Sequence, residues 1–489
     1  MDTSRLSEAE RRVWEAYPLG RRVEFRPGGR GSAASGAGWG PERTVRAEVL
    51  RALLLDGPRH EGETAKLRVA GVRVTGRLDL THVDVAAPIR LWSCFFEEEL
   101  DLYGAQLRQL NLGWSVLPGL RAIALRVDRS LRMTGCRVRG PVRLGGARIS
   151  GAVFFDSAEL GEEGVELAEP VLALNRTTID DDLQAEGLTA HGLVRLAGAV
   201  VAGGITFDDA VLSNPGGTAL HASNLSAGTD LHAMRLRAYG RVNMPGARIP
   251  GQLNLEAARL TNPGGTALRA SGLVGGALYL DEAEPIEGTV TLRGCHLEFL
   301  HIAPETWPDK VRLDGLTYAR FGPHAPAERW LPILERDTDG YVPYAYEQLA
   351  AAYRRIGDDA AARTVQLAKQ RRHRATLPSY ARAWGYLQDV TVGYGFRPTW
   401  AAGWLLSLVL VGSVTFALRR PAALKPGEAP DFNAPFYTLD LLLPIVDFGQ
   451  DKAYAAQGVY QWFGYVLVVL GWTLATTIAA GVTRAISRQ

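Results

Sequence analysis

Apolar residues recur along much of this chain at alternating intervals of five and six. Leu80, Val85, Leu91, Phe96, Leu102 and Leu107 stand 5, 6, 5, 6 and 5 residues apart. The cadence returns at Met133, Val138, Leu144, Ile149, Phe155 and Leu160, at Leu196, Val201, Phe207 and Leu212, and at Met244, Ile249, Leu255 and Leu260. No helix keeps that interval on one face, because its period is 3.6 residues, and a meander wants longer strands between its turns. A representative unit, Gly140–Gly151 (GPVRLGGARISG), runs x-V-x-L, turns on small residues and continues through A-x-I to a second turn. Short strands separated by tight turns make a solenoid, in which each inward residue stacks on its counterpart one coil away. Two five-plus-six units give a four-sided coil of about 22 residues. About ten such coils between Leu67 and Leu300, at ~4.8 Å each, make a rod roughly 50 Å long. The string NPGGTAL, at Asn214–Leu220 and again at Asn262–Leu268, adds a longer-range repeat. The pattern therefore predicts a mainly β fold, a right-handed parallel β-helix over residues 63–318.

Other periods flank the solenoid. Val45, Val49, Leu50, Leu53 and Leu54 fall at helical spacing within Thr44–Leu55, which predicts an amphipathic cap for the first coil. With the Gly/Ser-rich stretch Gly28–Gly40 it makes up an N-terminal segment, 1–62. GAGWG in that stretch is a poor dinucleotide fingerprint, since Pro41 stands where the third glycine belongs. Residues 319–395 read as a helical neck. Tyr344–Arg355 and Asp359–Arg374 flank Ile356-Gly357-Asp358, with Gly357 as a stop and Asp358 as an N-cap. Tyr346, Leu349, Ala350 and Tyr353 against Ala361, Val365 and Leu367 predict an antiparallel pair.

Residues 396–489 read as two transmembrane helices, about 400–418 and 459–482, joined by a loop over 419–458. Trp400–Leu418 and Val459–Val482 carry no charge and meet the ~20-residue requirement for crossing ~30 Å of hydrocarbon. Tryptophans cluster around them as an interfacial belt would. Arg371, Arg372, Arg374, Arg382 and Arg397 precede the first span and are candidates for contact with anionic lipid. In the loop, Phe432–Phe448 is apolar but too short to span. It fits either an interfacial helix or a pore helix with its re-entrant turn, with Phe436, Tyr437, Asp440, Pro444 and Asp447 as candidate pore or outer-loop residues. Thr391–Gly395 spells TVGYG, a potassium-filter string, but charged helices precede it instead of a span, and a turn explains it better.

Charge and chemistry narrow the function classes. Lys and Arg number 54 against 52 Asp and Glu, so a whole-chain nucleic-acid partner is not expected. The 54 glycines among 489 residues exceed the usual ~7% and suit many tight turns. Cys94, Cys136 and Cys295 lie far apart near turns, which predicts apolar filler and neither disulfides nor a zinc cluster. Asp180-Asp181-Asp182 and Asp208-Asp209 resemble the carboxylate groups of polysaccharide-cleaving β-helix enzymes. Neighbouring residues of a strand point to opposite faces, however, and solvated turns explain them better. Catalytic, cofactor-binding and metal-binding residues are not predicted.

Several strings resemble one bacterial family with an N-terminal pentapeptide-repeat-like solenoid and two C-terminal spans. They are GYVPYAYEQLAAAYRRIGDDAAARTVQLAKQRRHR (Gly340–Arg374), VTVGYGFRP, FYTLDLLLPIVDFGQ, the GW of the second span, and TVRAEVLRALLL near the start. Members are often labelled membrane-associated oxidoreductases. The resemblance implies an inner-membrane, multi-pass protein. Since Met1–Trp14 has no apolar signal-peptide core, both termini and the β-helix are expected in the cytoplasm. It implies no cofactor that this chain has a motif to hold, because GxGxxG, CxxC, haem and flavin signatures are missing. The expected function is a non-enzymatic membrane-anchored scaffold, contacting lipid and either a protein partner or further copies of itself. Two alternatives stand beside it: an oligomeric two-span channel with the β-helix as cytoplasmic sensor, and the oxidoreductase of the family label.

Overall fold

The computed structural model describes residues 3–25, 33–281, 284–392, 398–425, 427–443 and 447–486. The chain divides into two compact units, Met1–Ile356 and Gly357–Gln489.

The first unit is a parallel β-solenoid of about twelve turns. Its strands form two parallel sheets, of 20 and 17 strands. One coil shows the construction: Leu110–Asn111 and Arg126–Val127 belong to one sheet, Val116–Leu117 and Leu120–Arg121 to the other. The four sides expected from the cadence are therefore present. Every residue of the five-and-six cadence is buried, with none more than 2% exposed. Period-two strands explain this: in most of the two-residue strands one side chain enters the core and its neighbour points outward. Corners force the backbone into positive φ, at +68° for Gly146 and +55° for Ala124, and this accounts for part of the glycine content.

The coil length is not constant. Leu131 pairs with Val153, 22 positions on, whereas Val153 pairs with Leu183, 30 positions on. NPGGTAL turns out to be one cause of such variation and not a unit of the repeat. Both copies lie in long strands, Val211–His221 and Arg259–Arg269, where the ladder register shifts. Each builds the same bulge: Asn214 Nδ2 donates to the Thr218 carbonyl and Asn262 Nδ2 to that of Thr266, both at 2.8 Å.

Both solenoid ends are covered. At the start, Thr44–Arg46 is a strand paired with Arg73–Thr75, and the cap helix is the shorter α2, Ala47–Asp56. The expected helix start is corrected by three residues, because Val45 is buried as a strand residue and not as a helix residue. Arg51 Nε, on α2, reaches the Asp79 carbonyl at 2.8 Å. An unanticipated helix, α1 (Glu8–Ala16), precedes it and opens with a capping box between Ser7 and Glu10. At the other end, α3 (Ala327–Glu335) and α4 (Pro343–Arg355) cover the last rung. Phe321, the rung's inward residue, makes edge contacts with Trp330 and Tyr353, and the Tyr353 hydroxyl donates to the Ala325 carbonyl at 2.6 Å.

The second unit contains α5 (Asp359–Ala375), α6 (Ser379–Val392), α7 (Pro398–Leu418), α8 (Ala434–Leu442), α9 (Gln450–Ala453) and α10 (Val459–Ile486). Gly357 has φ +82° and the Asp358 carboxylate caps α5 through the Ala361 N–H, as the sequence suggests. The boundary between units falls between α4 and α5. The second unit has its own core of Phe416, Ala434, Tyr437, Leu442 and Leu467, which joins α7, α8 and α10. The expected spans coincide with α7 and α10. Their membrane-crossing character is corrected: among the described residues no helix is long and apolar enough to cross a membrane. The α10 side chains beyond 475 lie outside the description.

Candidate functional site

The loop residues expected to line a pore or outer mouth lie around α8. Asn433 caps this helix through the Phe436 N–H. Tyr437 is buried in the core of the second unit, edge-on to Phe416 at 4.9 Å, so it contacts other side chains and not an open path. Phe436 is exposed and its ring meets that of Phe448 at 4.9 Å. Asp440 ties down the turn that follows, accepting from the backbone N–H of Phe448 at 2.6 Å, Gln450 at 2.7 Å and Asp451 at 3.3 Å. Asp447 accepts from the Gly449 N–H and pairs with Lys452, which together hold its carboxyl below the usual range. Burial, then the charges of Asp440 and Asp447, push Asp451 upward. Oxygens of these three acids approach within 4.8 Å of one another, a spacing that a hard cation accepts. Those of Asp440 and Asp447 are already occupied by backbone donors and Lys452. Pro444 lies outside the described residues.

Two of the basic residues ahead of α7 are engaged with one acid. Arg371 and Arg374 converge on Asp389 at 3.0 Å each, tying α5 to α6. Burial alone would raise that carboxyl, but the two guanidinium groups hold it below its usual value. Arg372 is half-buried, Arg382 is exposed, and Arg397 lies outside the described residues, as do Gly393–Gly395 of the filter-like string.

The remaining candidates are structural. Asp182 accepts from the Gly204 N–H at 2.8 Å and Asp208 from the Met234 N–H at 2.7 Å, each tying one coil to the next. Asp209 receives a bidentate pair from Arg235 at 2.7 Å. All three cysteines are buried. Burial pushes the Cys136 thiol up to about 12 and the Cys295 thiol up to about 11, so neither is a nucleophile at neutral pH.

The most distinctive surface feature escapes a reading of local strings. On the 20-stranded sheet, Arg68 pairs with Arg90, Arg90 with Asn111, and Asn111 with Arg132, so one outward column begins strongly basic. Beyond Phe154 the same column becomes neutral, through Gln184 and Thr206. Lys66, Arg68, Arg90, Arg108 and Arg129, with Gln109 and Asn111, line an open groove of about 510 Å³ beside its basic end. Burial, then the charges of Arg22, Arg68 and Arg132, push the Arg90 guanidinium below its usual value. The signal was present in the sequence as arginines 22 positions apart, one coil, but it acquires meaning only once the coil length is known.

Compared with known proteins, the chain matches no family model, no curated protein and no solved structure.

Proposed function

We propose that this protein is a membrane-attached scaffold. The solenoid presents a rigid, repetitive surface to a protein partner or to a second copy, and the apolar helices of the second unit hold the chain at a lipid bilayer. The right-handed winding expected of short parallel strands belongs to the same reading. One observation carries the proposal: α7 and α10 are apolar on the side that packs and also on the side that does not. Leu405, Leu408, Val409 and Phe416 of α7 pack within the second unit, while Leu406, Leu410, Val414 and Leu418 are more than half exposed. On α10, Trp462, Tyr465, Val469 and Trp472 are more than half exposed. A helix that is apolar all round belongs in a protein core or in lipid. An exposed patch of this kind marks an interaction surface, and the tryptophans suit the membrane–water boundary.

The test is flotation of the full chain with liposomes. The wild type rises with the vesicles, while Leu406→Glu/Leu410→Glu stays at the bottom, since charges on the exposed apolar face oppose its entry into lipid. A wild-type chain that remains monomeric without detergent and ignores the vesicles removes the membrane half of the proposal.

A further inference from the structure

The basic groove near the start of the solenoid points to a ligand. We infer that it binds a small soluble molecule bearing two or more clustered phosphate groups.

Five cations, Lys66, Arg68, Arg90, Arg108 and Arg129, line the groove, and no carboxylate does. Asp128 is exposed beside Arg129 but lies outside the lining. Among the described residues, none of the five takes part in an ion pair, whereas several outward arginines elsewhere on the solenoid do. Arg137 pairs with Glu159, Arg143 with Glu99 and Glu169, and Arg235 with Asp209. The groove is therefore a local excess of positive charge, and an anion relieves the mutual repulsion.

The cations are also organised. Arg68 and Arg90 are opposite one another on adjacent rungs, which fixes their origins ~4.8 Å apart on a stiff sheet. Arg90 lies over the Trp92 ring at 4.6 Å, and its buried Nε has no hydrogen-bond partner. Guanidinium groups held in this way match phosphate oxygens in pairs, with little side-chain freedom left to lose. Asn111 and Gln109 add neutral amide donors on the same wall. Size favours a small molecule, because about 510 Å³ falls within the usual range of small-ligand sites. The column becomes neutral within a few rungs, so an extended polyanion would find matching charge only at this end.

The experiment is calorimetric titration of the full-length protein with sodium tripolyphosphate at low salt. Tripolyphosphate binds the wild type, and Arg68→Gln and Arg90→Gln each weaken it on the order of tenfold, the loss of one charge-assisted contact. Arg108→Gln/Arg129→Gln, altered at exposed corner positions, also weakens binding and guards against a folding defect in the strand variants. Arg259→Gln, outside the groove, binds as the wild type does. Absence of binding, or equal weakening by Arg259→Gln, overturns the inference. Tighter binding of a single-stranded oligonucleotide than of tripolyphosphate also overturns it and assigns the groove to nucleic acid.

Discussion

Single residues decide how the solenoid is closed at its start. Glu10 is almost wholly buried. It accepts from Arg46 Nε at 2.7 Å and from the Arg46 N–H at 3.1 Å, and it returns to the Ser7 N–H at 2.9 Å. One carboxylate thus caps α1 and fastens it to the strand that begins the cap. Burial raises this carboxyl, but the bonds to Arg46 and Ser7 outweigh it, and its value lies below the ordinary 4.5. A depressed acid adds stability that is complete above its unfolded value and is lost as the pH falls through the folded one. Glu10→Gln therefore lowers stability at pH 7 by about 1 kcal/mol, a modest figure because Arg46 remains partly exposed. In urea unfolding the difference from wild type shrinks as the pH drops below 4.5. A gap that widens in acid shows that Glu10 does not act as a charge. Ser7 and Glu10 stand at capping-box spacing, although α1 itself was not foreseen. Nor was the tie of Glu10 to Arg46, 36 positions away.

Among the elements, the two-residue strand is the working unit. Because most of these strands offer one side chain to the core and one to the outside, parity decides the cost of a substitution. Phe155 is fully buried and Val200 is 46% exposed. Phe155→Ala costs about 3–5 kcal/mol, the range for a large core side chain removed without collapse. Val200→Ser changes stability by less than about 0.5 kcal/mol. Equal effects on the thermal midpoint mean that the parity is misread. The helices of the second unit rely on small residues instead. A Cβ on Gly412 of α7 would come within 2.3 Å of Thr438 on α8, and one on Gly471 of α10 within 2.2 Å of the Leu442 carbonyl. Apolar composition announced α7 and α10, but not that α8 packs between them with Tyr437 and Thr438 buried. Periodicity describes which face of a helix is apolar, and here no face is polar enough to show which one packs.

At the scale of the molecule, the solenoid is a chain of nearest-neighbour contacts closed at both ends. Its thiols report on that closure. Cys94 and Cys136 lie in early coils and Cys295 in a late one, all buried, with Sγ of Cys136 and Cys295 near backbone carbonyls at 3.0 and 2.9 Å. With Cys136 raised to about 12 and Cys295 to about 11, a thiol reagent at pH 8 leaves the native protein unlabelled and modifies all three only as urea unfolds the coils. Mass spectrometry of the labelled chain reads this directly, and rapid native labelling of any one of them means that its end of the solenoid opens.

The alternation of five and six by itself determined the solenoid, its four sides and its inward residues, because stacking one coil on the next repeats a local rule without long-range choice. Glycine and aspartate around Gly357-Asp358 likewise settled a helix boundary through backbone and capping preferences alone. Tertiary structure decided the rest. Whether two arginines 22 positions apart stand side by side depends on every insertion between them, and the bulges at Asn214 and Asn262 show that coil length varies. Whether Asp440 faces a path or anchors a turn depends on donors brought to it from ten residues downstream. Such relations arise from the distances that folding creates, and sequence spacing carries them only where the coil is regular.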